Sequence, residues 1–169
     1  MEIKGIITIQ PKFALGIVKG FKRIEWRKKN SFSNLNHFLC SKNKKLNLLM
    51  YVTSPVKSPC IVVETSNIEI GDPIEIFNKN ASIAGISYLD ILSYYGGKHT
   101  IDKLYNYSDN TICEKAYVIY IKHCYLIHQS ILTELVNYIT EINLSILKGI
   151  RSVQEFNYTI NNNMIYKIW

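Results

Sequence analysis

Nowhere in this 169-residue sequence does an apolar run approach the roughly 20 residues that a helix needs to cross a bilayer. The longest, around Ala116–Ile121, is the length of one strand, so no membrane partner is expected. Cysteine is sparse: Cys40, Cys60, Cys113 and Cys124 show no C-x-x-C spacing, and no secretory leader is expected ahead of them. A disulfide framework is therefore not expected, and a reducing, cytoplasmic setting is. His37 and Cys40 have H-x-x-C spacing and His123 adjoins Cys124, but neighbouring strand residues point to opposite faces and do not readily share a metal. No metal and no cofactor are expected. There is no G-x-S-x-G elbow, P-loop or Rossmann glycine fingerprint, which sets aside hydrolysis by those routes. Low-complexity linkers and internal repeats are missing too, and arginine occurs only as Arg23, Arg27 and Arg151.

What is present is a chain that is 47% hydrophobic, enough for a core built without staples, with a net charge of +7. That charge is unevenly spread. Residues 1–60 carry twelve Lys/Arg against Glu2 and Glu25, residues 61–128 carry five against eight acids, and residues 129–169 carry three against three. The positive field thus belongs to the first third, and it favours a polyanionic partner such as nucleic acid. Abundant Lys, Asn, Ile and Tyr also reflect A/T-rich codons, so part of the basicity is compositional.

Hydrophobic periodicity outlines an α+β chain. Ile3–Ile9 is β-branched and reads as a strand. Pro11 opens a helix that presents Phe13, Ala14, Ile17 and Val18 on one face and stops at Gly20. Phe21–Arg27 then alternates, placing Ile24 and Trp26 on one side and Arg23, Glu25 and Arg27 on the other. Lys28–Lys45 contains no acid and several Ser and Asn, the composition of a long exposed loop. Leu46–Thr53 and Cys60–Glu69 read as strands stopped by Ser54-Pro55 and by Gly71-Asp72-Pro73. A short helix is expected over Pro73–Asn78, and a second runs from a Ser87/Asp90 capping box to Gly96-Gly97. Ala116–Tyr125 is a central strand. Ser130 caps an amphipathic helix with Ile131, Leu135, Ile139, Ile142 and Ile146 on its stripe. The tail from Arg151 to Trp169 is too apolar to be free and should pack back on the domain.

The segment Gly20–Arg27 concentrates the candidate chemistry. Arg27 offers a planar fork to phosphate or a base edge, Lys22 a compact charge, and Glu25 an acceptor for an exocyclic amine. The same Arg23-Glu25-Arg27 alternation is also what a solvated cross-strand charge ladder looks like. Thr53 and Ser54 end a strand where hydroxyls could hold a phosphate or simply mark a turn. Lys12, near the start of the first helix, adds to phosphate attraction or is a solvated lysine. Trp26 shares the face of Ile24 and is expected in the core, with Tyr117 and Tyr120 as lesser stacking candidates.

Four stretches carry a family resemblance. IQPKFALGIVKGFKRIEWRK, residues 9–28, resembles the opening of ASCH domains: a strand, P-x-[YF]-A leading an apolar helix, then G-x-K-x-x-E-x-R. YVTSPV, residues 51–56, is similar to the Y-A-T-S-P-V stretch of many such proteins. AGIS at 84–87 with YYGGK at 94–98, and RSVQEFNY at 151–158, resemble later family segments. The resemblance implies a PUA-like mixed β-barrel of five or six strands with flanking helices, and a cleft beside the first helix that is used on RNA. It runs through most of residues 3–128, with a divergent tail, so residues 1–128 are read as the barrel domain and residues 129–169 as an added C-terminal helix and tail packing back on it. One branch of the family is an N4-acetylcytidine amidohydrolase with the pattern G-x-K-x-x-T. Lys22 matches its lysine, but Glu25 stands where its threonine would be.

The leading expectation is an RNA- or nucleotide-binding ASCH module, regulatory in role, holding a nucleotide, modified or not, in a basic cleft. Its site comprises Lys12, Lys22, Arg23, Glu25, Arg27, Thr53 and Ser54, with DNA as a second possible ligand. The alternatives are a nucleic-acid-processing enzyme, an amidohydrolase or ribonuclease using Lys22 and Glu25 as acid/base groups, and an interaction module that forms a homodimer or binds a protein through the C-terminal helix.

Overall fold

Isoleucine-rich alternation makes Glu2–Ile9 the first strand, β1, and its residues are buried on both sides from Ile6 onward. The computed structural model describes residues 1–28, 45–96, 115–142 and 154–169. The expected loop between Lys28 and Lys45, together with His37, Cys40, Lys98, Cys113, Ile146 and Arg151, lies outside the described residues. After β1 come α1 (Pro11–Val18), β2 (Ile24–Lys28), β3 (Asn47–Val52), β4 (Ser58–Gly71), α2 (Pro73–Ala84), α3 (Tyr88–Gly96) and β5 (Ala116–Ile127). A 3-10 turn at Gln129–Ile131 leads into α4 (Leu132–Glu141), followed by β6 (Gln154–Thr159) and β7 (Ile165–Lys167).

The strands form one mixed sheet in the order β2-β5-β4-β3-β1-β6, with β7 also on β5. Only β1 and β3 run parallel among these pairs, in a register that sets Thr8 opposite Tyr51 and Ile9 opposite Val52. The sheet curls into a half-barrel. Three strands lie between β2 and β1 along the hydrogen-bonded path, yet the Arg27 guanidinium on β2 donates to the Thr8 carbonyl on β1. This is the α+β PUA-like architecture expected from the sequence.

Three apolar clusters divide the work. Ile7, Ile17, Met50, Val63 and Ile119 fill the concave side beneath α1. Ile24, Trp26, Ile91, Tyr95 and Val118 pack β2 and β5 against α2 and α3. Ile3, Ile6, Leu49, Val62 and Phe156 form the third with Leu135 and Ile139 of α4. Each such aliphatic side chain, fully buried, contributes roughly 1.5–3 kcal/mol. The α4 stripe is therefore covered by the sheet at Leu135 and Ile139, while Ile142 at its end stays exposed. In the tail, β6 pairs β1, β7 pairs β5, and the Trp169 indole donates to the Ile17 carbonyl at 2.8 Å.

Several local expectations shift. β2 starts at Ile24 instead of Phe21, because the Lys22 and Arg23 amides bond to the carbonyls of Gly16 and Ile83, not to a strand. α2 runs on to Ala84, six residues past Asn78. Its kink at Asn80 is bridged by the side-chain amide, which donates to the Ile76 carbonyl. Ser130 does not cap α4. His128 caps the preceding 3-10 turn, its Nδ1 accepting from the Ser130 amide, and α4 starts two residues later. The Ser87/Asp90 capping box forms as read, with reciprocal bonds of 2.8–3.1 Å.

Candidate functional site

The turn from β1 into α1, the inner face of β2, the end of β3 and the flank of α3 surround a cavity of about 570 Å³. That is within the roughly 300–1,000 Å³ usual for small-molecule sites. Of the seven residues nominated from the sequence, Lys12, Lys22, Glu25, Arg27, Thr53 and Ser54 all line it. Three separate segments thus converge on one place. Arg23 is the exception: its Nε donates to the Gly20 carbonyl at 3.1 Å, and its guanidinium lies 5.1 Å from the centre of the Trp169 ring.

The charged groups at the floor are not a solvated ladder. Lys22 is 1% exposed, and Glu25 and Arg27 are each 6% exposed; Lys22 packs against Phe13 and Gly16 of α1, and the Arg27 guanidinium is seated on the Thr8 carbonyl of β1. Glu25 bridges the two cations, with Oε2 at 3.2 Å from Lys22 Nζ and Oε1 at 3.0 Å from an Arg27 terminal nitrogen. Lys22 Nζ also donates to the carbonyls of Ile24 at 2.6 Å and Ala84 at 3.3 Å. Its three donors are therefore all engaged inside the protein. Burial pushes its proton affinity below the ordinary lysine range, the nearby Glu25 carboxylate opposing that shift and Arg27 adding to it. Lys22 is best understood as a fixed charge that holds Glu25 in place.

Two glycines make room for this lysine. A methyl group at Gly85 would stand 2.3 Å from Lys22 Cβ, and one at Gly16 would stand 3.2 Å from the same atom. Gly85 also ends α2 in the left-handed region, at φ +61°, where other residues are strained. The AGIS segment and the lysine segment are thus packed on one another.

Around the rim, Lys12 is exposed, with Nζ 4.6 Å from the Phe13 ring centre. Asp90 faces the same space. The Ser87 amide and hydroxyl donate to its carboxylate and, with Lys12 nearby, hold its pKa below the usual carboxylate range. Trp26 is 6% exposed and lines the cavity, and its indole N–H has no acceptor among the described residues. Trp26 belongs to the core, as expected, while still forming part of the wall.

Sequence reasoning passed over Asp90, Ser93 and Tyr94 of α3, which complete the wall. Their only signal was the motif segment around them, since an exposed helix face shows no sign of which groove it borders. Neither stacking candidate is in the wall. Tyr117 packs on the barrel core, and the Tyr120 hydroxyl donates to Glu69 at 2.5 Å and accepts from Asn80 at 2.9 Å, its pKa pushed up to about 12 by burial and that carboxylate. No grouping of three or more His, Cys, Asp or Glu able to hold a metal occurs among the described residues. No helix there is long and apolar enough to cross a membrane.

No family model and no curated protein sequence matches the chain. Solved structures do. The crystal structure of ASCH from Zymomonas mobilis superposes with a TM-score of 0.61 at 20% identity, over 90% of this chain and 86% of that one. One mutant of that protein gives 0.63 at 20% identity over 90% and 88%. A second mutant gives 0.50 at 23% identity over 70% and 66%. The fold is that of an ASCH domain.

Proposed function

We propose that this ASCH-fold chain binds a nucleotide carried in RNA, with the base in the cavity and a phosphate at its rim. The observation that carries the reading is a single pocket that joins a carboxylate, pinned between two buried cations, to an exposed lysine and two hydroxyl side chains. In this reading Glu25 accepts from an exocyclic amine such as that of cytosine, and Trp26 forms part of the wall beside it. Lys12, Thr53 and Ser54 are the groups for phosphate. A regulatory role and tolerance of a modified base are consistent with a binding site whose strongest charges are internally satisfied.

The test is binding of fluorescent oligocytidine and oligouridine across a salt series. Cytidine should be preferred, and Glu25→Gln should remove about 1.5–3 kcal/mol of that preference. Lys12→Ala should weaken both ligands and reduce the salt slope by about one phosphate contact. Equal affinity of wild type and both variants would overturn the assignment. A hydrolytic reading draws on the same Lys22–Glu25 contact, since a lysine of lowered proton affinity suits acid/base work. The saturation of all three Lys22 donors favours binding over reaction.

A further inference from the structure

An open hollow adjoins the cavity, and the two share one wall made of Lys12, Phe13, Ile86 and Asp90. On the far side of that wall stand Phe21 and Ser82. Resting on the nucleotide reading above, we infer that the ligand is a strand of at least two nucleotides, and that this hollow seats the neighbour of the nucleotide in the cavity, with Phe21 as its stacking platform.

Phe21 is an unusual place to leave a phenyl ring. It is 55% exposed, in the tight connection between α1 and β2 that Gly20 turns at φ +80°. The ring is backed by α1: a methyl at Gly16 would lie 2.9 Å from its Cε2. An aromatic ring supported on one side and open on the other offers what base stacking needs, independent of base identity. Exposed Lys19 and Arg23 flank it in sequence, within the basic first third of the chain.

Charge on the shared wall points to the link between the two nucleotides. Lys12 borders both spaces, so a phosphate in contact with it can join a nucleoside in the cavity to one in the hollow. Asp90 lies on the same wall, and its carboxylate offsets part of that positive charge. One lysine beside one aspartate suits a phosphodiester monoanion better than a phosphomonoester dianion. The Asp90 carboxylate, already accepting from Ser87 through Oδ2, keeps acceptor capacity for a sugar hydroxyl or base amine. A second apolar occupant, such as a protein side chain, would gain nothing from Lys12.

The experiment is calorimetric titration of wild type, Phe21→Ala and Phe21→Trp with 5′- and 3′-cytidine monophosphate and with the dinucleotide CpC. CpC should bind wild type about tenfold or more tightly than either mononucleotide. Phe21→Ala should abolish that gain and leave mononucleotide affinity in place, while Phe21→Trp, which retains a stacking face, should keep it. Equal affinity for CpC and the mononucleotides, or an equal loss for all ligands in Phe21→Ala, overturns the strand inference and spares the cavity reading. Failure of every ligand to bind overturns the nucleotide reading itself.

Discussion

At Gly85 two constraints coincide: a backbone angle of +61° and the stem of Lys22 lying where a side chain would begin. Left-handed geometry alone costs a non-glycine residue roughly 1–2 kcal/mol, and the overlap with Lys22 adds to that. Gly85→Ala should therefore lower unfolding free energy by more than that amount in urea titration, and its folded fraction should bind RNA weakly because Lys22, and with it Glu25, is displaced. Gly71→Ala is the control, since a methyl there meets Ile76 no closer than 3.4 Å. A Gly85→Ala protein as stable as wild type would contradict the packing described. At this scale the sequence is informative about identity and silent about exposure. Period-two alternation puts Glu25 and Arg27 on one face, but alternation cannot tell water from an overlying helix. Burial of Lys22 follows from Phe13 and Gly16 of α1 packing against it, and burial of Arg27 from its bond to the Thr8 carbonyl across the sheet.

Among the elements, α4 shows what a hydrophobic stripe does and does not reveal. Its 3.6 periodicity identifies the buried positions Leu135 and Ile139, and the sheet, not a second protein, covers them. Leu135→Ala should cost about 2–5 kcal/mol of stability. Because α4 belongs to a different apolar cluster from the one beneath α1, the same variant should retain RNA affinity while folded. Loss of binding at full folding would mean that α4 communicates with the cavity. Boundaries were less legible than elements. A 3-10 turn capped by His128 comes before α4 and moves its start to Leu132, and α2 continues past a kink at Asn80 whose side-chain amide donates to the Ile76 carbonyl. Both are tertiary choices that local propensity does not contain. Capping by Ser87 and Asp90, a purely local arrangement, was readable in full.

For the whole molecule, the decisive feature is how the half-barrel closes. Arg27 spans the seam between β2 and β1 by donating to Thr8, and the Tyr95 hydroxyl on α3 donates to the Arg27 carbonyl at 2.9 Å. The residues that complete the sheet are thereby the residues that floor the cavity. Strand order and this closure were not contained in any local pattern; the resemblance of residues 9–28 and 51–56 to ASCH domains implied only a PUA-like mixed barrel with flanking helices, and the fold agrees with that much. Convergence of Lys12, Glu25, Arg27 and Thr53 from three segments could be expected only with that topology in hand.

The most direct measurement of the central claim uses the two tryptophans of the chain. In nitrogen-15 spectra, with Trp169→Phe to assign the signals, the indole N–H resonances are followed during titration with oligocytidine. Trp26 lines the cavity and has no acceptor among the described residues, whereas the Trp169 indole is already bonded to Ile17. The Trp26 resonance should move saturably, and the Trp169 resonance much less. A Trp26 signal that stays in place while RNA binds, or movement confined to Trp169, would place the ligand elsewhere and contradict the account.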